Sequence, residues 1–330
     1  MTIHHMQYTS VQILEKVNAH ISSLPYTRRP EGLYAPIRYV LSMGGKRLRP
    51  TLMLMAYNLY KEDVDSILSQ AIGLETYHNY TLLHDDLMDK ADMRRGHVTV
   101  HRKWDSNRAI LSGDTMLVLA YRLIARCDKT KLPQVLDLFT ETALEIGEGQ
   151  QYDMEFETRD DVTEAEYIEM IRLKTSVLLA CATRIGAILA DAPMADAKAL
   201  YDFGEQMGLA FQLQDDFLDV YGDEQTFGKK IGGDIICGKK TYLLINAFLL
   251  ADENQRGELM HWLAAEPSDP EEKIAAVTRI YNDVGIPALC RQKIDFYFDR
   301  AEECLEKVQV PEQNKHELRL FAQSLVNRQS

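Results

Sequence analysis

The stretch SILSQAIGLETYHNYTLLHDDLMD, residues 66–89, dominates the fold prediction. It contains no proline, and it is rich in leucine, alanine, methionine and glutamate, residues that favour helices. Five of its residues recur at helical spacing and fall near one stripe: Ile67, Ala71, Leu74, Tyr77 and Thr81. The stretch therefore predicts one long helix that ends in a cluster of aspartates.

The rest of the chain has the same character. The segments 51–132, 134–192 and 194–266 lack proline, the strongest helix breaker. Alternating β-branched runs bounded by Asn-Gly or Asp-Gly turns, which signal strands, are absent from the sequence. Glycines gather at a few places that we interpret as joints between helices: Gly44-Gly45, Gly96, Gly147/Gly149, Gly228, Gly232-Gly233 and Gly238. No flexible linker divides the chain, so residues 1–330 are predicted to form a single all-α domain of long helices.

The composition limits the classes of function. With 46% hydrophobic and 26% charged residues, the 330-residue chain is typical of a globular protein. Its formal net charge of −13 disfavours binding to nucleic acid. No apolar run approaches the roughly 20 residues of a membrane-spanning helix, and the first residues lack the pattern of a signal peptide. The five cysteines are odd in number and scattered. We therefore expect a cytoplasmic protein with no transmembrane segment and no nucleic-acid partner.

One aspartate pattern occurs twice, in LLHDDLMD (82–89) and in LQDDFLD (213–219). Positions i, i+1 and i+4 share one arc of a helix, so each copy groups three carboxylates beside apolar neighbours. Desolvation and like-charge repulsion both oppose such a cluster, and a bound cation would remove that penalty. A single copy is commonly a solvated helix end. Two copies in similar helical context favour a site for Mg²⁺, which prefers oxygen ligands and substrate phosphates.

Basic residues concentrate beside glycines or threonines. The segments are Gly44–Pro50, Arg94-Arg95-Gly96, Gly228-Lys229-Lys230, Gly238–Thr241 and Lys174-Thr175. Arginine offers a planar fork to phosphate oxygens, lysine offers a point charge, and glycine lets backbone N–H groups approach closely. Together with the aspartates, these segments predict a diphosphate site with metal on one wall and cations on the other.

These motifs, in this order, resemble those of the trans-isoprenyl diphosphate synthases, or polyprenyl synthases. The resemblance spans residues 44–241 and is carried by GGKRLRP, LLHDDLMDKADMRRG, KT, FQLQDDFLD and GKKIGGDIICGKKT. It implies a bundle of long helices around a central catalytic cavity, and a homodimer. It also implies a Mg²⁺-dependent prenyltransferase with about three ions per active site, replaceable by Mn²⁺. The enzyme would condense isopentenyl diphosphate head-to-tail with dimethylallyl, geranyl or farnesyl diphosphate, and no protein nucleophile is needed.

The resemblance also implies roles for individual residues. The metal would be held by Asp85, Asp86, Asp89, Asp215, Asp216 and Asp219. The allylic diphosphate would contact Arg94, Lys174, Thr175, Gln212, Lys239 and either Lys229 or Lys230. Isopentenyl diphosphate would contact Lys46, Arg49, His78 and Arg95. The residues acting most directly in catalysis would be Asp85, Asp86, Asp89, Lys174, Asp215 and Asp216. The helical wheel supports one role independently, because His78 lies seven residues before Asp85 and on the same face.

Product length depends, in this family, on bulk just before the first aspartate motif. Tyr80 and Thr81 stand five and four places before Asp85, and Tyr77 lies one turn earlier. One aromatic ring at the fifth place, none at the fourth and no insertion in the motif resemble the short-chain enzymes. We therefore expect farnesyl or geranylgeranyl diphosphate, C15 to C20, as the product.

Three other functions fit parts of the sequence. A class I terpene cyclase shares the first aspartate motif, but its second motif usually mixes Asn, Ser and Glu. A non-catalytic subunit of a prenyl synthase would be expected to have lost a motif. A di-metal carboxylate bundle needs Glu-x-x-His on two helices, and both Glu75…His78 and Glu258…His261 match that spacing. This last alternative leaves all the aspartates unexplained.

Overall fold

The computed structural model describes residues 5–223, 231–265 and 270–326, and these are almost entirely helical. In the first part of the chain lie α1 (Ser10–Ser22), α2 (Glu31–Ser42), α3 (Leu48–Asn58), α4 (Leu68–Met88), α5 (Val100–Lys103), α6 (Ser106–Ile124) and α7 (Leu132–Phe156). The middle part contains α8 (Glu164–Ile171), α9 (Val177–Leu189), α10 (Met194–Tyr221) and α11 (Gly233–Cys237). The last part contains α12 (Tyr242–Leu250), α13 (Glu253–Ala264), α14 (Pro270–Asp283), α15 (Ile286–Glu306) and α16 (Glu312–Val326). The predicted all-α fold is confirmed.

The described residues form two compact units. The first unit comprises the described parts of Met1–Thr140, Cys181–Tyr201 and Lys307–Phe321. The second comprises those of Glu141–Ala180, Asp202–Glu306 and Ala322–Ser330. The single domain over residues 1–330 stays a prediction. None of the helices that the described residues form is both long and apolar enough to cross a membrane.

Helix α4 is the central element of the first unit. The predicted stripe is present, since Ala71, Leu74 and Tyr77 are at most 2% exposed. Gly73 of α4 packs on the end of α6, where an added Cβ would lie 2.7 Å from Ile124 Cγ1. Near the other end of α4, the ring of His84 lies 2.1 Å from the position of a Cβ on Gly113. The two helices are therefore antiparallel and in close contact, which fixes the direction of the last turn of α4.

A short hairpin follows α4, although the sequence carries no strand signal there. Strands β1 (Met93–Arg94) and β2 (His97–Val98) pair antiparallel, with Arg94 opposite His97. The turn residues Arg95 and Gly96 have φ of 52° and 76°, and two positive φ angles characterise the tight turns of two-residue hairpins. Sequence patterns missed it because the turn reads Arg-Gly and the strands have two residues each.

The π-helical turn Arg172–Ser176 joins α8 to α9 in the second unit. One turn of this kind inserts an extra residue into the helix and is frequent at functional sites. Gly149 of α7 faces it, and an added Cβ there would lie 2.4 Å from the backbone nitrogen of Lys174. The interpretation of Gly147 and Gly149 as a joint between helices is therefore wrong. Both lie inside α7, and the absent side chain of Gly149 admits the neighbouring backbone.

Candidate active site

The first aspartate motif occupies the end of α4. Asp85 and Asp86 lie in its last turn, and Asp89 is the C-terminal cap, whose N–H donates to the carbonyl of Asp85 at 2.8 Å. Because the C-terminus of a helix carries a partial negative charge, the motif adds carboxylates where the backbone already favours a cation. Asp86 is 6% exposed. This end of α4 thus carries three carboxylates, of which Asp86 is buried and Asp89 is exposed.

Arg94 on β1 supplies a positive charge to that point. Its Nε and Nη2 donate to Oδ1 of Asp86 at 2.8 and 2.5 Å, and Nη2 lies 3.4 Å from Oδ2 of Asp85. Burial raises the pKa of the Asp86 carboxyl, and the hydrogen bonds and charge of Arg94 oppose that shift. The hairpin therefore brings a residue predicted to bind diphosphate directly against two predicted metal ligands.

His78 lies on the same helix about two turns earlier, and basic residues from other segments surround it. His78 is partly buried, and burial together with the charges of Arg49 and Arg95 lowers the pKa of its imidazole well below the usual range. Nη1 of Arg95 donates to the carbonyl of Gly44 at 2.5 Å, which ties the hairpin turn to the loop before α3. Lys46 is exposed in that loop. The structure thus gathers Arg49, His78 and Arg95 in one electrostatic environment, with Lys46 beside it in sequence.

The second unit holds the other predicted residues. Lys174, in the π-helical turn, donates through Nζ to Oδ2 of Asp153 at 2.6 Å. Thr175 donates to Oε1 of Gln212 at 3.1 Å, and Nε2 of Gln212 donates to Oδ1 of Asp216 at 2.9 Å. A hydrogen-bonded chain therefore runs from the Lys-Thr pair to the second aspartate motif on α10.

The middle aspartate of that motif is deeply buried. Burial and the nearby charge of Asp234 raise the pKa of Asp216 to about 7, although hydrogen bonds from Tyr167 and Gln212 and the charge of Lys239 oppose the shift. Oδ2 of Asp219 accepts the backbone N–H of Asp234 at 2.9 Å. Lys229 and Lys230 lie outside the described residues, so the choice between them stays open.

Several residues of this neighbourhood were missed by the sequence analysis. They are Tyr167, Asp153 and Asp234 in the second unit, and Glu75, Asn79 and Arg47 in the first. Tyr167 is 3% exposed, and its hydroxyl donates to Oδ2 of Asp216, 49 positions along the chain. Asp234 and Arg47 carried a signal, since each lies in one of the quoted motifs, Asp234 after Gly232-Gly233 and Arg47 in GGKRLRP.

The predicted chain-length residues face different surroundings. The ring of Tyr77 is 2% exposed and packs edge-on against Phe139, with centroids 5.1 Å apart. Tyr80 lies 4.9 Å from the ring of His84 and packs against the apolar core that α2 and α6 share with α4. Thr81 is partly buried and donates to the carbonyl of His78 at 2.8 Å.

The di-metal alternative does not fit the described residues. Glu75 is buried against Arg47 at 2.7 Å, and Glu258 pairs with Arg279 at the surface. Within residues 5–223, 231–265 and 270–326, no group of three or more His, Cys, Asp or Glu side chains is arranged to hold a metal by itself. The two Glu-x-x-His matches are therefore coincidences of spacing.

Comparisons with known proteins show the family of this chain. The sequence model of the polyprenyl synthetase family matches residues 30–281. A geranylgeranyl diphosphate synthase of Methanosarcina mazei is 44% identical over 234 residues, which cover 70% of this chain and 72% of that protein. A crystal structure of a geranylgeranyl pyrophosphate synthase has a TM-score of 0.93 and 43% identity, and the match covers 98% of this chain and 100% of that one.

A further crystal structure is that of a geranylgeranyl pyrophosphate synthase from Corynebacterium glutamicum complexed with isoprenyl diphosphate and magnesium. Its TM-score is 0.83 at 28% identity, over 97% of this chain and 96% of that one. The chain therefore belongs to the polyprenyl synthetase family. The predicted family and the predicted class of enzyme, a short-chain trans-prenyltransferase, are confirmed.

Proposed function

We propose that the protein condenses isopentenyl diphosphate head-to-tail with dimethylallyl, geranyl or farnesyl diphosphate and releases a C15 to C20 prenyl diphosphate. The observation that carries the proposal lies on α4. An aspartate cluster bound to Arg94 ends the helix, and His78, which shares the charges of Arg49 and Arg95, lies seven residues earlier, about 10 Å along the axis. The aspartate cluster with Arg94 and the basic group around His78 are two anion-binding groups, which suit two diphosphates whose chains meet between them.

The first anion-binding group would hold the allylic diphosphate. Arg94 already lies against the aspartates, so a diphosphate bridged to them by metal would come within its reach. The residues proposed to assist it are Lys174, Thr175, Gln212, Lys239 and either Lys229 or Lys230. The second group, Lys46, Arg49, His78 and Arg95, would hold isopentenyl diphosphate. With its pKa lowered, His78 is neutral at pH 7 and serves as a hydrogen-bonding partner.

The aspartates fit a hard divalent cation. The first three carboxylates end a helix whose dipole favours positive charge. Burial is the main cause that raises the pKa of Asp86 and of Asp216, and a bound cation would offset that penalty. Since the described side chains do not by themselves surround a metal, water and substrate oxygens would complete the coordination, as is usual for Mg²⁺. Bound Mg²⁺, about three ions with Mn²⁺ as a substitute, would stabilise negative charge on the departing diphosphate.

The chain's own residues would act by binding and orientation. Arg94, Lys174 and Lys239 would stabilise charge that develops on the leaving diphosphate. Arg49, Arg95 and Lys46 would bind the diphosphate of isopentenyl diphosphate and so place its double bond beside the allylic carbon. The released diphosphate would then accept the proton that the product loses. Tyr80, with Tyr77, would end the path of the growing chain.

The proposal also includes a cellular location and an oligomeric state. We place the enzyme in the cytoplasm because its cysteines are scattered and odd in number. We also propose a homodimer. Helix α6 supports it, because its apolar side chains Ile110, Leu111 and Val118 are 46%, 59% and 66% exposed and a second copy would cover them.

A turnover assay with labelled isopentenyl diphosphate and each of the three allylic primers tests this function. Linear C15 or C20 diphosphates, resolved by chromatography, are the expected products. Cyclic hydrocarbon made from the primer alone would instead identify a terpene cyclase. A folded protein that binds both diphosphates without turnover would be a non-catalytic subunit.

A further inference from the structure

Glu75 of α4 is a buried carboxylate that the proposed reaction leaves without a role. It is 1% exposed and stands three residues before His78. Its Oε1 accepts two hydrogen bonds, from Nη1 of Arg47 at 2.7 Å and from Nδ2 of Asn79 at 2.9 Å. Oε2 is equally buried and has no hydrogen-bond partner within the described residues. A carboxylate held by one oxygen among several arginines calls for an explanation.

Through Arg47, Glu75 holds the segment that leads into α3. Arg47 is 4% exposed and caps the start of α3 with φ of 48°. Its guanidinium bridges Glu75 and the carbonyl of Leu41, the latter at 2.7 Å. Because the guanidinium of Arg47 is held by these hydrogen bonds, Lys46 in the loop and Arg49 in the first turn of α3 extend from a fixed backbone.

On the other side, Glu75 reaches the hairpin turn. Asn79 donates to Glu75, and its Oδ1 lies 3.4 Å from Nη1 of Arg95. The same Nη1 donates to the carbonyl of Gly44 at 2.5 Å. One carboxylate therefore connects, through two side chains, the segment 44–49 with the turn at residues 95–96.

We propose that Glu75 is a positioning residue of the isopentenyl diphosphate site. It keeps the segment Lys46–Arg49 and the side chain of Arg95 at the separation that fits one diphosphate. The inference rests on the proposed function, which assigns that substrate to these cations. Glu75 does not contact the substrate in this account. It acts through Arg47 and Asn79.

The direction in which KM for isopentenyl diphosphate changes distinguishes positioning by Glu75 from simple electrostatics. A carboxylate beside an anion site repels the anion, so removing its charge alone would tighten binding of a diphosphate. Loss of positioning has the opposite effect, because cations that are no longer held at the right separation bind less well. The Michaelis constant for isopentenyl diphosphate therefore reports on the mechanism by its direction.

Two variants of Glu75 and one control make the test. Glu75→Ala removes both hydrogen bonds, and we expect KM for isopentenyl diphosphate to rise about tenfold or more, with KM for the allylic primer nearly unchanged. In Glu75→Gln, one amide oxygen can keep both hydrogen bonds because Oε1 alone accepts them. Glu75→Gln therefore keeps the positioning and loses only the charge, so KM for isopentenyl diphosphate should stay near the wild-type value or fall. Thr76→Val is the control: Thr76 is 0% exposed, and its hydroxyl donates to the carbonyl of Ile72 within α4.

The experiment measures steady-state kinetics, calorimetric binding of isopentenyl diphosphate and the melting temperature of each variant. If Glu75→Ala does not fold, Asn79→Ala, which cuts the link from Glu75 to Arg95, takes its place. An unchanged or lowered KM for isopentenyl diphosphate in Glu75→Ala or its substitute, or an equal rise in Glu75→Gln or Thr76→Val, would overturn the positioning role. If the wild-type protein neither binds nor incorporates isopentenyl diphosphate, the proposed function fails instead, and the two failures are thereby distinguished.

Discussion

Arg94 and Asp86 are joined by two hydrogen bonds, from Nε at 2.8 Å and from Nη2 at 2.5 Å, both to Oδ1 of the carboxylate. The pair links β1 to the last turn of α4 and provides a buried aspartate with a countercharge. A diphosphate and its metal offer the same two partners, an anion for Arg94 and a cation for Asp86. Binding of substrate and metal would therefore exchange one set of charge pairs for another.

The division of the basic residues leads to the first prediction. Lys46→Ala or Arg95→Ala should raise KM for isopentenyl diphosphate, because each removes a cation from the group around His78, while binding of the allylic diphosphate is largely kept. Arg102→Ala is a matched control, since Arg102 lies near the same hairpin but is half exposed and pairs with Asp92 at 2.7 Å. Steady-state kinetics with both substrates varied gives the answer. Loss of allylic binding alone would show that the division is wrong.

Product length gives the second prediction. Tyr80→Ala, alone or with Tyr77→Ala, should yield products at least one isoprene unit longer without abolishing activity, because it removes bulk before the first aspartate motif. Tyr77 is 2% exposed against Phe139, so its truncation should also destabilise the protein by about 3–5 kcal/mol. Tyr80→Phe keeps the ring and should leave the products unchanged. Chromatography of the products decides, and the same chain lengths from a folded, active double variant would place the end of the path elsewhere.

The contact between α7 and the π-helical turn gives the third prediction. Gly149→Ala would place a Cβ 2.4 Å from the nitrogen of Lys174, so it should lower the melting temperature and reduce turnover by displacing Lys174. Gly147→Ala is the matched control, two residues earlier on α7. Its Cβ would meet no atom within 4 Å, and it should stabilise the protein by up to about 1 kcal/mol through helix propensity. Equal effects of the two substitutions on turnover would exclude this role of Gly149.

Asp216 gives a prediction about pH. Its pKa is raised from 3.8 to about 7 in the folded protein, mainly by burial. Between these values the folded state binds more protons than the unfolded state, so this group's contribution to stability is lost as pH rises through that window. In metal-free protein, Asp216→Asn should thus stabilise by a few kcal/mol at pH 8 and hardly at all at pH 4. The exposed Asp137→Asn serves as the control in denaturant titrations, and a variant that is less stable than wild type at pH 8 would refute the prediction.

Periodicity and spacing were sufficient for much of this architecture. The stripe of α4 and the position of His78 on the face of Asp85 follow from 3.6 residues per turn, a local property that the sequence expresses directly. The aspartate motifs and the basic segments were found for the same reason, since their members lie within a few residues of one another.

Contacts between distant residues could not be predicted in this way. Arg47 and Glu75 are 28 positions apart, and Tyr167 and Asp216 are 49 positions apart, so no local sequence pattern predicts either pair. The π-helical turn at Lys174 depends on how closely Gly149 approaches it, which is again a tertiary property. The hairpin at Arg95-Gly96 was missed because tertiary contacts, such as the bond from Tyr39 to the carbonyl of Val98 at 2.8 Å, hold two very short strands.

The most direct test of the account is incorporation of labelled isopentenyl diphosphate into an allylic primer, measured with Mg²⁺ and again in excess chelator. We predict turnover only with the divalent cation, because clustered carboxylates and a diphosphate repel each other without one. Asp85→Ala and Asp215→Ala should each lower the Mg²⁺-dependent rate by orders of magnitude while helicity, measured by circular dichroism, stays the same. Full condensation activity in excess chelator would contradict the account.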